Sequence, residues 1–175
     1  YLLPSQAKQQ GGDIAKAEGF YRQLIEKHAD HMRAPRAHLR IGWCLYQNKK
    51  YADSAKYLGG IVGKLSDKTH QAEAQLLIGH NLSETDKHKE AVAAYEAALN
   101  VKKDSSQTEE VLLALAGSLR ALDNSSGAAE RLKQILKEFP NTRHGDQVLH
   151  QLGEIAQEQK NHDEAISYYN QVVTK

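Results

Sequence analysis

A spacing of 37 residues runs through the whole chain. Ala17, Ser54, Ala91, Ala128 and Ala165 stand at that interval, followed four residues later by Tyr21, Leu58, Tyr95, Leu132 and Tyr169. A third column holds Leu24, Ile61, Ala98, Ile135 and Val172. A fourth holds Ile41, Ile78, Leu115 and Leu152, each followed by a small residue, namely Gly42, Gly79, Ala116 and Gly153. Self-similarity at this period implies stacked supersecondary units, because one such unit cannot bury its apolar face alone. The spacing therefore constrains architecture first and function only indirectly.

Each period reads as two helices. Ala72, Ala74, Leu76, Leu77, Ile78 and Leu82 follow helical spacing, Thr85-Asp86-Lys87 interrupts it, and Ala91, Val92, Ala94, Tyr95, Ala98 and Leu99 resume it. The same alternation places helices at roughly 13–28, 35–48, 51–65, 70–84, 88–102, 107–122, 125–138, 145–159 and 162–174, with residues 1–10 as the tail of a truncated helix. Asp13, Thr69 and Asn124 are expected N-caps, Ser106 with Glu109 a capping box, Pro35 a first-turn proline and Pro140 a helix stop. Strand signals are missing. Gly11-Gly12 reads as a turn, and Gly59-Gly60 as a close helix contact or a kink.

These columns resemble the tetratricopeptide repeat. Ile41-Gly42, Ile78-Gly79 and Leu152-Gly153 match its Leu-Gly pair, Ala17, Ala91, Ala128 and Ala165 its alanine, Tyr21, Tyr95 and Tyr169 its aromatic, and Pro140 its proline. The third repeat departs by carrying its glycine one place later, at Gly117. The resemblance implies an all-α, right-handed superhelical solenoid of antiparallel helix pairs. It implies one array over 1–175, divided at 1–34, 35–71, 72–108, 109–145 and 146–175. The family's usual period is about 34 residues, so each repeat here is longer. That longer layout is similar to bacterial envelope members and favours a periplasmic or envelope location over the cytoplasm. The chain opens on Tyr1 inside the pattern and ends directly after a repeat, which predicts a piece of a longer protein.

The resemblance also places a binding surface on the first helix of each repeat. The inner positions are Arg36, Leu39, Arg40, Trp43, Tyr46 and Gln47, then Glu73, Leu76, Leu77, His80, Ser83 and Glu84, then Leu113, Gly117, Arg120, His150, Glu154 and Gln157. Trp43 is the chain's one tryptophan, and exposed Trp or Tyr beside Arg is a common composition for binding hot spots. The expected partner is a protein or peptide. Family members that clamp a terminal carboxylate use lysine and asparagine, where this chain has Leu39 with Trp43 and Leu76 with His80, so that ligand is not expected. A scaffold without a groove ligand, self-associating end to end near Tyr168 and Val173, is the alternative.

Composition argues against other classes. The net charge of +1 provides no electrostatic footprint for nucleic acid, and no apolar run long enough for membrane insertion occurs. Nine histidines invite a metal, but His28 and His31 have no partner at a zinc spacing, and His88 and His162 share a packing column. Cys44, alone in the chain, is expected to pack as a small hydrophobe. No catalytic constellation, cofactor or metal site is implied. Asn81-Leu82-Ser83 is a formal glycosylation sequon on a core segment and is discounted.

Overall fold

The computed structural model describes residues 13–101 and 107–173. The described helices are α1 (Ile14–Lys27), α2 (Ala34–Gln47), α3 (Tyr51–Ile61), α4 (Lys68–Ser83), α5 (His88–Val101), α6 (Thr108–Ala121), α7 (Ser125–Glu138), α8 (Gly145–Glu158) and α9 (His162–Val173), with a 3-10 turn at Val62–Lys64. No strand occurs among the described residues. The expected all-α, tetratricopeptide-like helix pairs are therefore present. The chain divides into two compact units, Tyr1–Ser105 and Ser106–Lys175. The expected helix over 1–10 and the capping residue Ser106 lie outside the described residues.

In the first unit α2 packs against α1, α3 and α4, and α4 packs against α2, α3 and α5. Leu39, Leu58, Leu65 and Ala74 form a core there, flanked by Tyr57, Ile61, Val62, Leu77 and Ile78. In the second unit α6 meets α7, α7 meets α8, and α8 meets α9. Leu112, Leu115, Leu132, Ile135, Val148, Leu149, Leu152 and Ile155 are all buried.

Helix pairs close on the small column. A Cβ placed on Gly42 would fall less than 3.0 Å from the Leu58 side chain, one on Gly79 from the Tyr95 ring, and one on Gly153 from the Tyr169 ring. In the third repeat the register does not shift. Ala116 and Leu132 are fully buried at these two columns, whereas Gly117 is exposed and faces open space. Leucine stands in the second column both with Gly42 (Leu58) and with Ala116 (Leu132), so the identity of the partner alone does not decide which small residue is used.

Ser54 is the column's one departure from alanine, and the structure explains it. Its buried hydroxyl donates to the Gly42 carbonyl at 2.7 Å and accepts from Asn81 Nδ2 at 2.9 Å. Asn81 Nδ2 also donates to the Leu77 carbonyl at 2.6 Å. Three helices, α2, α3 and α4, are thereby tied by one polar chain, and leaving its buried groups unpaired would cost about 1–3 kcal/mol. Asn81 is 1% exposed, which closes its sequon to modification in the folded protein.

The turn inside each pair adds a further column. Lys49, Asp86, Asp123 and Lys160 all have left-handed backbone, with φ of 58°, 58°, 58° and 61°. At each, the left-handed residue donates to the carbonyl three back and its successor to the carbonyl five back: Lys49 to Tyr46 and Lys50 to Leu45, Asp86 to Ser83 and Lys87 to Leu82, Asp123 to Arg120 and Asn124 to Leu119, Lys160 to Gln157 and Asn161 to Ala156. This is the Schellman arrangement, usually completed by glycine.

Other local expectations divide. Asp13 and Asn124 cap α1 and α7 through their side chains, and Pro35 sits in the first turn of α2. The cap of α4 is Asp67, whose carboxylate accepts from the Thr69 N–H, so Thr69 is inside the helix. Glu109 is bonded to Thr142, and the N-cap position of α6 is Gln107, which makes no side-chain cap. Gly59 and Gly60 touch nothing and make no close helix contact. They precede the point where α3 gives way to the 3-10 turn, consistent with glycine's helix penalty of about 0.8–1.0 kcal/mol.

Non-glycine residues at left-handed φ carry strain. Lys49→Gly and Lys160→Gly should each raise stability by about 0.5–1 kcal/mol in urea denaturation, less any glycine entropy cost. Asp86→Gly and Asp123→Gly should gain less, because aspartate visits this conformation more readily than lysine.

Candidate functional site

The repeats bury three sides of the first helices in the first unit and leave one side open. On α2 that side is Arg36, Arg40, Trp43 and Gln47; Arg36 is exposed and the others are partly buried. Stepping by 37 gives the corresponding side of α4, Glu73, Leu77, His80 and Glu84, of which Leu77 packs against the first-unit core. Tyr46 and Ser83 border these strips and are partly buried.

Two expected surface residues are not on the surface. Leu39 is 3% exposed and Leu76 is 4% exposed. Leu39 packs with Leu58, Leu65 and Ala74 in the first-unit core. A helix covered by its own pair, by the preceding second helix and by a neighbouring first helix has only one free stripe, and both leucines fall outside it. They are corrected to core residues.

The remaining inner residues form contacts of a repeated geometry. Tyr46 lies with its ring 6.5 Å from the His80 ring and its hydroxyl donating to Glu84 at 3.4 Å. The Tyr51 ring lies 5.3 Å from that of Tyr46, tilted by 59°, and the Tyr95 hydroxyl is 3.2 Å from His80 Nδ1. In the second unit the same slots are ionic. Arg120 donates to Glu154 and to Glu158, each at 2.8 Å. The pairs 46/80 and 46/84 thus correspond, two repeats on, to 120/154 and 120/158. His150 is exposed, 3.7 Å from Glu154 and with its ring 5.8 Å from Tyr169. The structure therefore brings Tyr46 to His80 and Arg120 to Glu154, and leaves Arg36, Arg40, Trp43 and Glu73 on open strips. Glu158 was missed in the sequence, although stepping Glu84 by two periods reaches it.

A second cluster lies between α1, α2 and α3. His38 Nδ1 and the Tyr57 hydroxyl are 2.6 Å apart. Arg22 sits 5.4 Å over the Tyr57 ring and pairs with Glu18 at 2.8 Å. Burial, assisted by nearby Lys64, holds the His38 ring below the usual histidine range. Burial likewise pushes the Tyr57 phenol up. A neutral ring facing a protonated phenol is a structural pair.

Reactive chemistry has little support here. Cys44 is buried, and desolvation, with Glu18 adding and Arg40 opposing, pushes its thiol up to about 11, so it is a thiol and a weak nucleophile at neutral pH. Among the described residues no three His, Cys, Asp or Glu side chains converge to hold a metal ion. His162 is exposed, so the column it shares with half-buried His88 is not uniformly a packing position. No described helix is long and apolar enough to cross a membrane.

Antiparallel helix pairs in register, closed by glycine–aromatic contacts and carrying an open strip on the first helices, define a helical-repeat protein. The chain belongs to the tetratricopeptide repeat family: the tetratricopeptide repeat-like domain model matches residues 1–116, and single tetratricopeptide repeat models match 110–142 and 146–174. No curated protein matches it in sequence. Among solved structures it is similar to MamA, at 18% identity and a TM-score of 0.80, covering 99% of this chain and 95% of that one. It is also similar to a tetratricopeptide repeat protein from Parabacteroides merdae, at 13% identity and a TM-score of 0.77 over 96% of this chain and 62% of that one. A third is a putative kinesin light chain with nearly identical repeats from Podosopora anserina, at 16% identity and a TM-score of 0.75 over 97% of this chain and 90% of that one. At these identities the likeness concerns the fold.

The lowered His38 pKa has a signed consequence. The unfolded chain takes up this proton near pH 6.5 and the folded chain only at lower pH, so stability is full above 6.5 and is lost as pH falls through the folded value. Thermal melts from pH 7.5 to 5 should therefore show His38→Gln losing less stability than the parent protein across that window. Parallel pH profiles would contradict the assignment.

Proposed function

We propose that the chain is a non-catalytic interaction module that binds a protein or peptide partner on the open strips of its first helices. Tetratricopeptide repeats generally mediate protein–protein contacts, and membership in the family supports that much. The observation that carries the finer reading is the side of α2 and α4 left uncovered by repeat packing. It presents partly buried Trp43, and His80 with its ring near that of Tyr46. Rigid aromatics lose little entropy on binding and are enriched at binding hot spots.

A second reading is a scaffold that associates through its outermost helices, in an envelope protein of which this array is a part. It draws support from Phe20 on α1 and Ile166 on α9, which are 70% and 57% exposed. Tyr168, by contrast, is partly buried with its hydroxyl donating to Glu164.

Photo-crosslinking in the producing cell separates the two. A benzophenone amino acid at Gln47 or His80 should give an adduct with a partner of discrete mass, and one at Lys56 or Glu96, exposed on the second helices, should not. Adducts confined to Phe20 and Ile166, joining copies of the chain, would favour the scaffold and reject the strip.

A further inference from the structure

The two open strips of the first unit differ in charge, and the ion pairs elsewhere show which charges remain available. Arg120 is neutralised by Glu154 and Glu158, and Arg22 by Glu18. Arg36 and Arg40 form no ion pair or hydrogen bond among the described residues, and Glu73, which holds the Arg36 column on α4, forms none with either. Glu84 is engaged by the Tyr46 hydroxyl. Arg36, Arg40 and Trp43 follow one another at helical spacing along the uncovered side of α2. Two unpaired arginines, Arg36 exposed and Arg40 partly buried, thus stand one turn apart on the same side as a partly buried indole.

We infer that the α2 strip of Arg36, Arg40 and Trp43 docks an acidic peptide segment that carries an apolar side chain beside its carboxylates; this rests on the open-strip reading above. Guanidinium groups bind carboxylates in a bidentate manner and are only weakly hydrated, which suits an interface. Trp43 supplies the apolar platform that a carboxylate alone would not need. The neighbouring α4 strip supplies the exclusion. Glu73 and Glu84 repel an acidic chain that strays from α2, so the pair of strips selects register as well as sign. A basic segment meets the reverse pattern and is turned away from Arg36 and Arg40.

The chain's one tryptophan lies in the strip, so its fluorescence reports occupancy directly. The test pans a random peptide library against the protein, then titrates dye-labelled copies of the recovered peptides by fluorescence anisotropy in every variant, with Trp43 emission as a second readout in those that keep it. Peptides enriched in aspartate or glutamate next to an apolar residue, weakened about tenfold or more by Arg36→Gln/Arg40→Gln and by Trp43→Ala, are the expected result. Neither arginine is buried, so the double variant should keep the parent's melting temperature. Peptides that respond to Trp43→Ala or to Glu73→Gln/Glu84→Gln but are basic or uncharged would overturn the acidic assignment and leave the strip as a binding surface. Peptides indifferent to every one of these changes, or no peptides at all, would remove both.

Discussion

Each described helix pair depends on one close approach, in which a first-helix residue with little or no side chain receives a leucine or a ring from the second helix. Gly42 receives Leu58, Gly79 receives Tyr95 and Gly153 receives Tyr169. The approach sets the distance between the helices, and that distance determines which other side chains interdigitate. Burial of side chains such as Leu112, Leu132 and Ile155, each worth roughly 1.5–3 kcal/mol, follows from it. So does the Ser54 link, because the Gly42 carbonyl is reached only where the backbone of α2 is bare.

The same constraint leaves the open strips. Repeats that pack on three sides of α2 and α4 expose a single stripe on each, and positions on that stripe do not have to satisfy packing. Their chemistry is therefore free to vary. One pair of slots holds Tyr46 against His80 and Glu84, and its counterpart holds Arg120 against Glu154 and Glu158. Identical geometry is thus filled by different chemistry, and under the proposed function the Arg36–Arg40–Trp43 stripe is where a partner would be selected.

Much of this was legible in the sequence because packing imposes a period. Helices α7 and α9 begin where expected, at Ser125 and His162, and most other helix ends fall within two residues. Amphipathic reasoning failed where its premise failed. It grants a helix one buried stripe, whereas α2 and α4 are buried on three sides; Leu39 and Leu76, placed on the surface by the family resemblance, are core residues. Gly117 suggested a shifted register because a glycine attracts attention in a glycine column; buried Ala116 keeps the register, and Gly117 faces open space. The left-handed column at Lys49, Asp86, Asp123 and Lys160 went unseen, since its residues share a backbone conformation and no side-chain type. Asp67 was missed for a similar reason: Thr69, a plausible cap by composition, lay two residues along.

The central claim is that the small and the aromatic columns are coupled through close contact within each pair, and a double-mutant cycle on Gly79 and Tyr95 tests it most directly. Gly79→Ala should destabilise by about 1–3 kcal/mol through overpacking against a buried ring. Combining it with Tyr95→Leu recreates the pair found at Ala116 and Leu132, so the double variant should be more stable than the sum of the two single changes by about 0.5–3 kcal/mol. Additive effects in urea denaturation, within about 0.5 kcal/mol, would show that the columns are not coupled and would contradict the account.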